Sequence, residues 1–130
     1  MKWLQLWREA SGIGDESMNV FRDLPELEML ILDETQVSDR GMAELISCKR
    51  LKHPSLEKTL VTNKGIAHIA QLRHLRRLKL SGCRIDNDCL IFLRQLKNLN
   101  YLSLHHTQIT TEAAADLQAQ MPNLKTLIKP

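Results

Sequence analysis

A spacing of 24 residues runs through this chain and leaves few folds open to it. Leu27, Leu30 and Leu32 recur as Leu51, Pro54 and Leu56, then as Leu75, Leu78 and Leu80, then as Leu99, Leu102 and Leu104, each set 24 residues after the last. A final copy, Leu124 with Leu127, arrives one residue late. Self-similarity at such a period marks arrays in which a unit buries its apolar face only against its neighbours. With aromatics at 4% and hydrophobic residues at 43%, the shared core has to be aliphatic.

The register continues between the leucine sets. Thr35, Thr59, Cys83 and Thr107 form one column, and Val37, Val61, Ile85 and Ile109 the next. A small column follows, Gly41, Gly65, Cys89 and Ala113, which predicts close approach of a helix to the strand layer. Met42, Ile66, Leu90 and Ala114 precede Leu45, Ile69, Leu93 and Leu117 by three residues, and Cys48, Leu72 and Leu96 lie three further on, one apolar stripe of a short helix. Ser38 and Asp39, Thr62 and Asn63, Asp86 and Asn87, and Thr110 and Thr111 supply oxygens suited to a helix N-cap. Each unit therefore reads as a short strand, a turn and a short helix, and this alternation predicts parallel strands.

With these columns in place, the pattern LxxLxLxxTxVxDxGMxxL resembles the leucine-rich repeat family. The match is to the 24-residue type whose loop reads TxITDxGL, frequent in bacterial proteins and similar to the repeats of F-box adaptors. The resemblance implies an α/β, right-handed, curved solenoid with a parallel sheet on the concave face and short helices on the convex face. It implies no chemistry. On this reading residues 1–130 are a single domain. A degenerate N-terminal cap unit covers about 1–24, repeats cover about 25–48, 49–72, 73–96 and 97–121, and a terminal strand covers 122–130.

Two places depart from the pattern. Pro54 occupies a buried strand position without an N–H to give, so its strand is expected to be broken or distorted. In the first unit Ile13, Asp15, Met18 and Phe21 keep the register, yet the same register buries Arg8; a shift that turns Leu4 and Leu6 inward is the alternative.

Between the inward leucines, alternate strand residues face the concave side. They form three columns: Gln5, Met29, His53, Arg77, Tyr101 and Thr126; Trp7, Ile31, Ser55, Lys79, Ser103 and Ile128; and Glu9, Asp33, Glu57, Ser81 and His105. The structural pattern leaves Trp7, Met29, Ile31, Asp33, His53, Glu57, Arg77, Lys79, Tyr101 and His105 unexplained, which makes them the candidate partner-binding residues. Exposed aromatic and aliphatic anchors concentrate interface energy, so another protein is the expected partner. Stacked Glu9, Asp33 and Glu57 would repel one another unless a basic partner, a cation or solvent screening intervenes. Adding His53 and His105 yields no metal-ligand signature, so neither metal nor cofactor is expected.

Charge is uneven: residues 1–47 hold four Lys/Arg against ten Asp/Glu, and residues 48–130 hold fourteen against five. An array laid out in order turns this into an acidic end and a basic end. Arg73, Arg76, Arg77 and Lys79 make nucleic-acid binding the alternative function. Homo-oligomerisation through exposed end strands is a further one. A glycine-rich phosphate loop, a GxSxG elbow, an HExxH helix and paired CxxC motifs are all missing, so no enzyme is expected. No segment reaches the roughly 18 consecutive apolar residues of a membrane span. Three cysteines, Cys48, Cys83 and Cys89, lack metal spacing and read as reduced thiols of a cytoplasmic protein.

Overall fold

A computed structural model describes residues 2–5 and 13–127. Six strands, β1 (Trp3–Gln5), β2 (Met29–Ile31), β3 (His53–Ser55), β4 (Arg77–Lys79), β5 (Tyr101–Ser103) and β6 (Lys125–Leu127), form one sheet in chain order. Every pairing is parallel. Parallel neighbours in chain order require each unit to return by a crossover, and helical segments provide it. A 3-10 helix covers Asp15–Asp23 in the first unit. Helix α1 (Asp39–Met42) runs on into a 3-10 turn at Ala43–Ser47, and α2 spans Asn63–Ile69. A 3-10 turn at Asn87–Cys89 leads into α3 (Leu90–Leu93), and α4 (Thr111–Gln120) closes the series. Strands stack about 4.8 Å apart, whereas packed helices need about 8–10 Å. The sheet therefore lies on the concave side, and slim 3-10 segments ease the crowding behind it.

The repeat columns occupy the interior. Leu30, Leu78 and Leu102 are buried, as are Val37, Val61, Ile85 and Ile109 and the helical stripe through Leu45, Ile69, Leu93 and Leu117. Thr35, Thr59 and Thr107 close the strand ends by donating from Oγ1 to the carbonyls of Leu32, Leu56 and Leu104, at 2.7, 2.8 and 2.9 Å. Cys83 departs from this: its thiol donates to the carbonyl of Leu56, one unit back, at 3.0 Å. Just before the helices a second row of single parallel bridges joins Gly14 to Gln36, Ser38 to Leu60, Thr62 to Arg84 and Asp86 to Gln108.

Each end of the sheet corrects the sequence register. Trp3 pairs with Met29 and Leu4 with Leu30, so β1 adopts the alternative register with Leu4 turned to the core. Gln5 consequently stands opposite Ile31 rather than in the Met29 row. At the other end Lys125 stands opposite Tyr101 and Thr126 opposite Leu102, because the Lys125 N–H donates to the Asn100 carbonyl at 2.9 Å. Thr126 therefore leaves the concave row assigned to it, and its hydroxyl donates to Gln118 Oε1 at 3.0 Å. Pro54 is buried and β3 survives around it. The full three-residue ladder holds towards β2, but only Ser55 pairs with Lys79 on the β4 side, where the proline has no N–H to offer.

Candidate functional site

Alternation along the strands sets Met29, His53, Arg77 and Tyr101 in one concave row and Ile31, Ser55, Lys79 and Ser103 in the next. A hollow of about 200 Å³ opens between them, lined by Met29, Ile31, His53, Pro54, Ser55, Arg77 and Lys79. Residue size explains it. Ser55 is short, and the thinned ladder at Pro54 leaves the β3 backbone open between larger side chains on β2 and β4. Five of the ten sequence candidates thus surround one space: Met29, Ile31, His53, Arg77 and Lys79.

The rim has two chemical sides. On β2, Met29 is 40% exposed and Ile31 is half-buried. On β4, the Arg77 guanidinium carbon lies 4.5 Å from the centroid of the Tyr101 ring, a cation–π contact that biases the direction of the arginine and brings in a sixth candidate. Between the sides, burial lowers the basicity of His53, and the cations Arg77, Lys52 and Arg76 lower it further. Its Nδ1 is buried without a hydrogen-bond partner among the described residues, as is Nδ1 of His105.

The third row serves the scaffold. Asp33 Oδ1 accepts from Ser55 Oγ at 2.7 Å and from the Glu57 N–H at 2.9 Å. One junction further along, Ser81 Oγ lies 2.6 Å from Ser103 Oγ and accepts the His105 N–H at 3.0 Å. Glu57 and His105 sit half-buried on this row, beyond the hollow. Trp7 and Glu9 lie outside the described residues. Trp3, which the first register did not place on this face, shares the row of Met29 and is 69% exposed. Its signal was the inward option for Leu4.

Ion pairs between described residues are confined to the first half of the array. Arg22 clasps Glu44 through two bonds of 2.6 and 2.7 Å, Arg50 meets Glu26 at 2.9 Å, and Lys52 meets Glu28 at 3.1 Å. Arg73, Arg76, Arg77 and Lys79 have no ion pair among the described residues. Of these four, Arg77 and Lys79 border the hollow, while Arg73 and Arg76 are exposed at the start of β4. All three cysteines are free and buried, and burial raises their thiol pKa values, to about 11 for Cys48 and about 12 for Cys89. Such thiols are poor nucleophiles and poor metal ligands. Among the described residues no cluster of three or more metal-ligating side chains occurs, and no helix is long and apolar enough to cross a membrane.

No family model and no curated protein matches the chain in sequence. Solved structures match its fold. Internalin C2 of Listeria monocytogenes superposes with a TM-score of 0.70 at 23% identity, over 84% of this chain and 45% of the internalin. A leucine-rich repeat protein of Leptospira interrogans gives 0.62 at 23% identity, over 83% and 27%. The leucine-rich repeat ectodomain of a receptor kinase of Arabidopsis thaliana gives 0.57 at 22% identity, over 85% and 60%. This chain thus spans less than two thirds of each of these structures. The fold is the α/β leucine-rich repeat solenoid.

Proposed function

We propose that this leucine-rich repeat solenoid is a protein-binding module that holds its partner on the concave sheet face. The carrying observation is the hollow between β2 and β4, where Met29, Ile31, Arg77 and Lys79 present apolar and cationic groups that the scaffold does not use. Several polar side chains of the same face are committed to the scaffold: Asp33, Ser55, Ser81 and Ser103 bond across units. Strands hold the backbone of these groups in place, so the ordering cost of binding is confined to their side chains. The reading is of a module that binds without catalysing, in keeping with unreactive thiols and the absence of recognised catalytic motifs. Three free buried cysteines suit a reducing compartment, and we place the protein in the cytoplasm.

The test is an affinity capture with nuclease-treated extract, comparing wild type with an Ile31→Asp, Arg77→Ala double variant. Both positions lie outside the fully buried core, so the variant is expected to fold, which circular dichroism checks. Loss of about tenfold or more in recovered partner proteins supports the reading. Retention of every partner by the double variant assigns binding to another surface.

A further inference from the structure

We infer that the hollow takes an acidic, aliphatic peptide segment, seating an apolar side chain on Met29 and Ile31 and a carboxylate on Arg77 and Lys79. The inference rests on the concave-face reading and gives it a partner chemistry. Its first support is charge. Acidic side chains from residues 16–44 clasp arginines and lysines of neighbouring units, but those pairs stop at Lys52. Arg77 and Lys79, facing the hollow from one strand, therefore carry two positive charges without a carboxylate partner among the described residues. The Arg77 guanidinium lies over the Tyr101 ring at 4.5 Å, a contact that biases its orientation. Its planar fork favours a carboxylate, which can accept two parallel N–H bonds.

The second support is the opposite wall. Met29 and Ile31 stand two strands away, about 10 Å across the sheet. A ligand that bridges the hollow must pair an apolar group with an anionic one at that separation, within reach of two side chains a few residues apart on one peptide. Burial and the cationic neighbours Arg77, Lys52 and Arg76 lower the basicity of His53, which disfavours a third charge on the floor. A nucleic acid fits less well. The concave cations are interrupted after Arg77 and Lys79, since β5 presents Tyr101 and Ser103 before Lys125 follows on β6, and Asp33 and Glu57 border them; the Tyr101 ring is already covered by Arg77, and Trp3 stands three strands away on β1. Phosphate backbones and stacked bases need a longer cationic groove and open rings.

A display selection of short random peptides on the whole chain tests this, followed by fluorescence-anisotropy titration of synthetic copies of the enriched sequences. Enriched peptides are expected to combine Asp or Glu with Leu, Ile, Met or Val. Replacing their acidic residues by amides should weaken binding about tenfold or more, as should an Arg77→Ser, Lys79→Ser double variant. Met29→Ser should weaken binding less, and added salt should weaken it for the wild type only. Circular dichroism checks that the variants stay folded. Four outcomes overturn the inference: no enrichment, enrichment without acidic residues, acidic peptides indifferent to the double variant, or a single-stranded oligonucleotide binding more tightly than any peptide. Enriched non-acidic peptides that lose binding with Ile31→Asp would leave the concave-face reading standing. Acidic peptides indifferent to every concave substitution would remove both.

Discussion

Two kinds of junction along the array hold neighbouring units together with different chemistry at the same repeat position. Asp39 reaches from one unit into the loop of the next, where its carboxylate accepts the N–H groups of Thr62 and Gly65 at 2.7 and 2.9 Å and the Thr62 hydroxyl as well. Asp15 does the same one unit earlier with Ser38 and Gly41. At the next two junctions the position is asparagine. Asn63 gives its amide to Asp86 Oδ1 and accepts the Asp86 N–H, at 2.8 and 3.1 Å, and Asn87 treats Thr110 likewise at 3.3 and 3.0 Å. The small column follows suit. A Cβ on Gly41 or Gly65 would lie 2.5 Å from the carboxylate oxygen of Asp15 or Asp39, so glycine is needed where aspartate crosses. Where asparagine crosses, Cys89 and Ala113 are tolerated, and the cap side chain of the same unit takes over: Asp86 accepts the Asp88 N–H and Thr110 the Ala113 N–H. An aspartate at position 63 would instead face the Asp86 carboxylate, and two like charges there would repel.

The contrast can be broken at its tightest point first. Gly65→Ala should cost about 3 kcal/mol in a denaturant titration, since the methyl must displace Asp39 from its bonds and also meets Val61 Cγ1 at 2.7 Å. The reverse change on the asparagine side, Ala113→Gly, should cost only about 1 kcal/mol, the entropy of a helical glycine. Equal costs would show that the carboxylate cradle is not what fixes glycine. Next in size, Asp39→Ala should lose about 2 kcal/mol and Asn63→Ala about 1 kcal/mol, because three acceptor contacts, two of them to backbone N–H groups, exceed one reciprocal pair. A larger loss at Asn63 would invert the comparison.

The smallest effect is in pH. The Asp88 N–H and the Asn63 amide hold the Asp86 carboxyl below its ordinary value of 3.8. A lowered folded-state pKa means that the ion contributes stability above the unfolded value and loses it as pH falls through the folded one. Melting temperatures measured between about pH 5 and pH 2 should thus fall less steeply for Asp86→Asn than for wild type. Unchanged slopes would mean that this junction does not sense acid.

Much of this was readable beforehand, and particular residues show why. Leucines 24 apart, with threonines and valines in fixed register, name the inward positions because a strand alternates its faces and a helix repeats every few residues. The polar pairs before the helices were legible as caps, which holds for Thr62, Asp86 and Thr110, but Ser38 makes no side-chain cap bond and Asp39, Asn63 and Asn87 bond across to the next unit. The glycine column was read as room for the strand layer, whereas the space at Gly41 and Gly65 is taken by a carboxylate from the preceding unit. Another column, Glu34, Lys58, Gly82 and His106, adopts positive φ at the turn after each strand, and only its single glycine hinted at that.

By itself the sequence determined the unit: its length, its inward columns and the parallel order of its strands. Those follow from local periodicities, which any stack of such units must satisfy. Tertiary structure decided what crosses between units. It chose the register of Trp3 and Lys125 at the sheet ends, committed Asp33 to Ser55 and Glu57, and opened a hollow where Pro54 thins the ladder. Such contacts depend on separations of a few ångströms between residues some 24 positions apart, a distance set by how the units stack rather than by the pattern within any one of them.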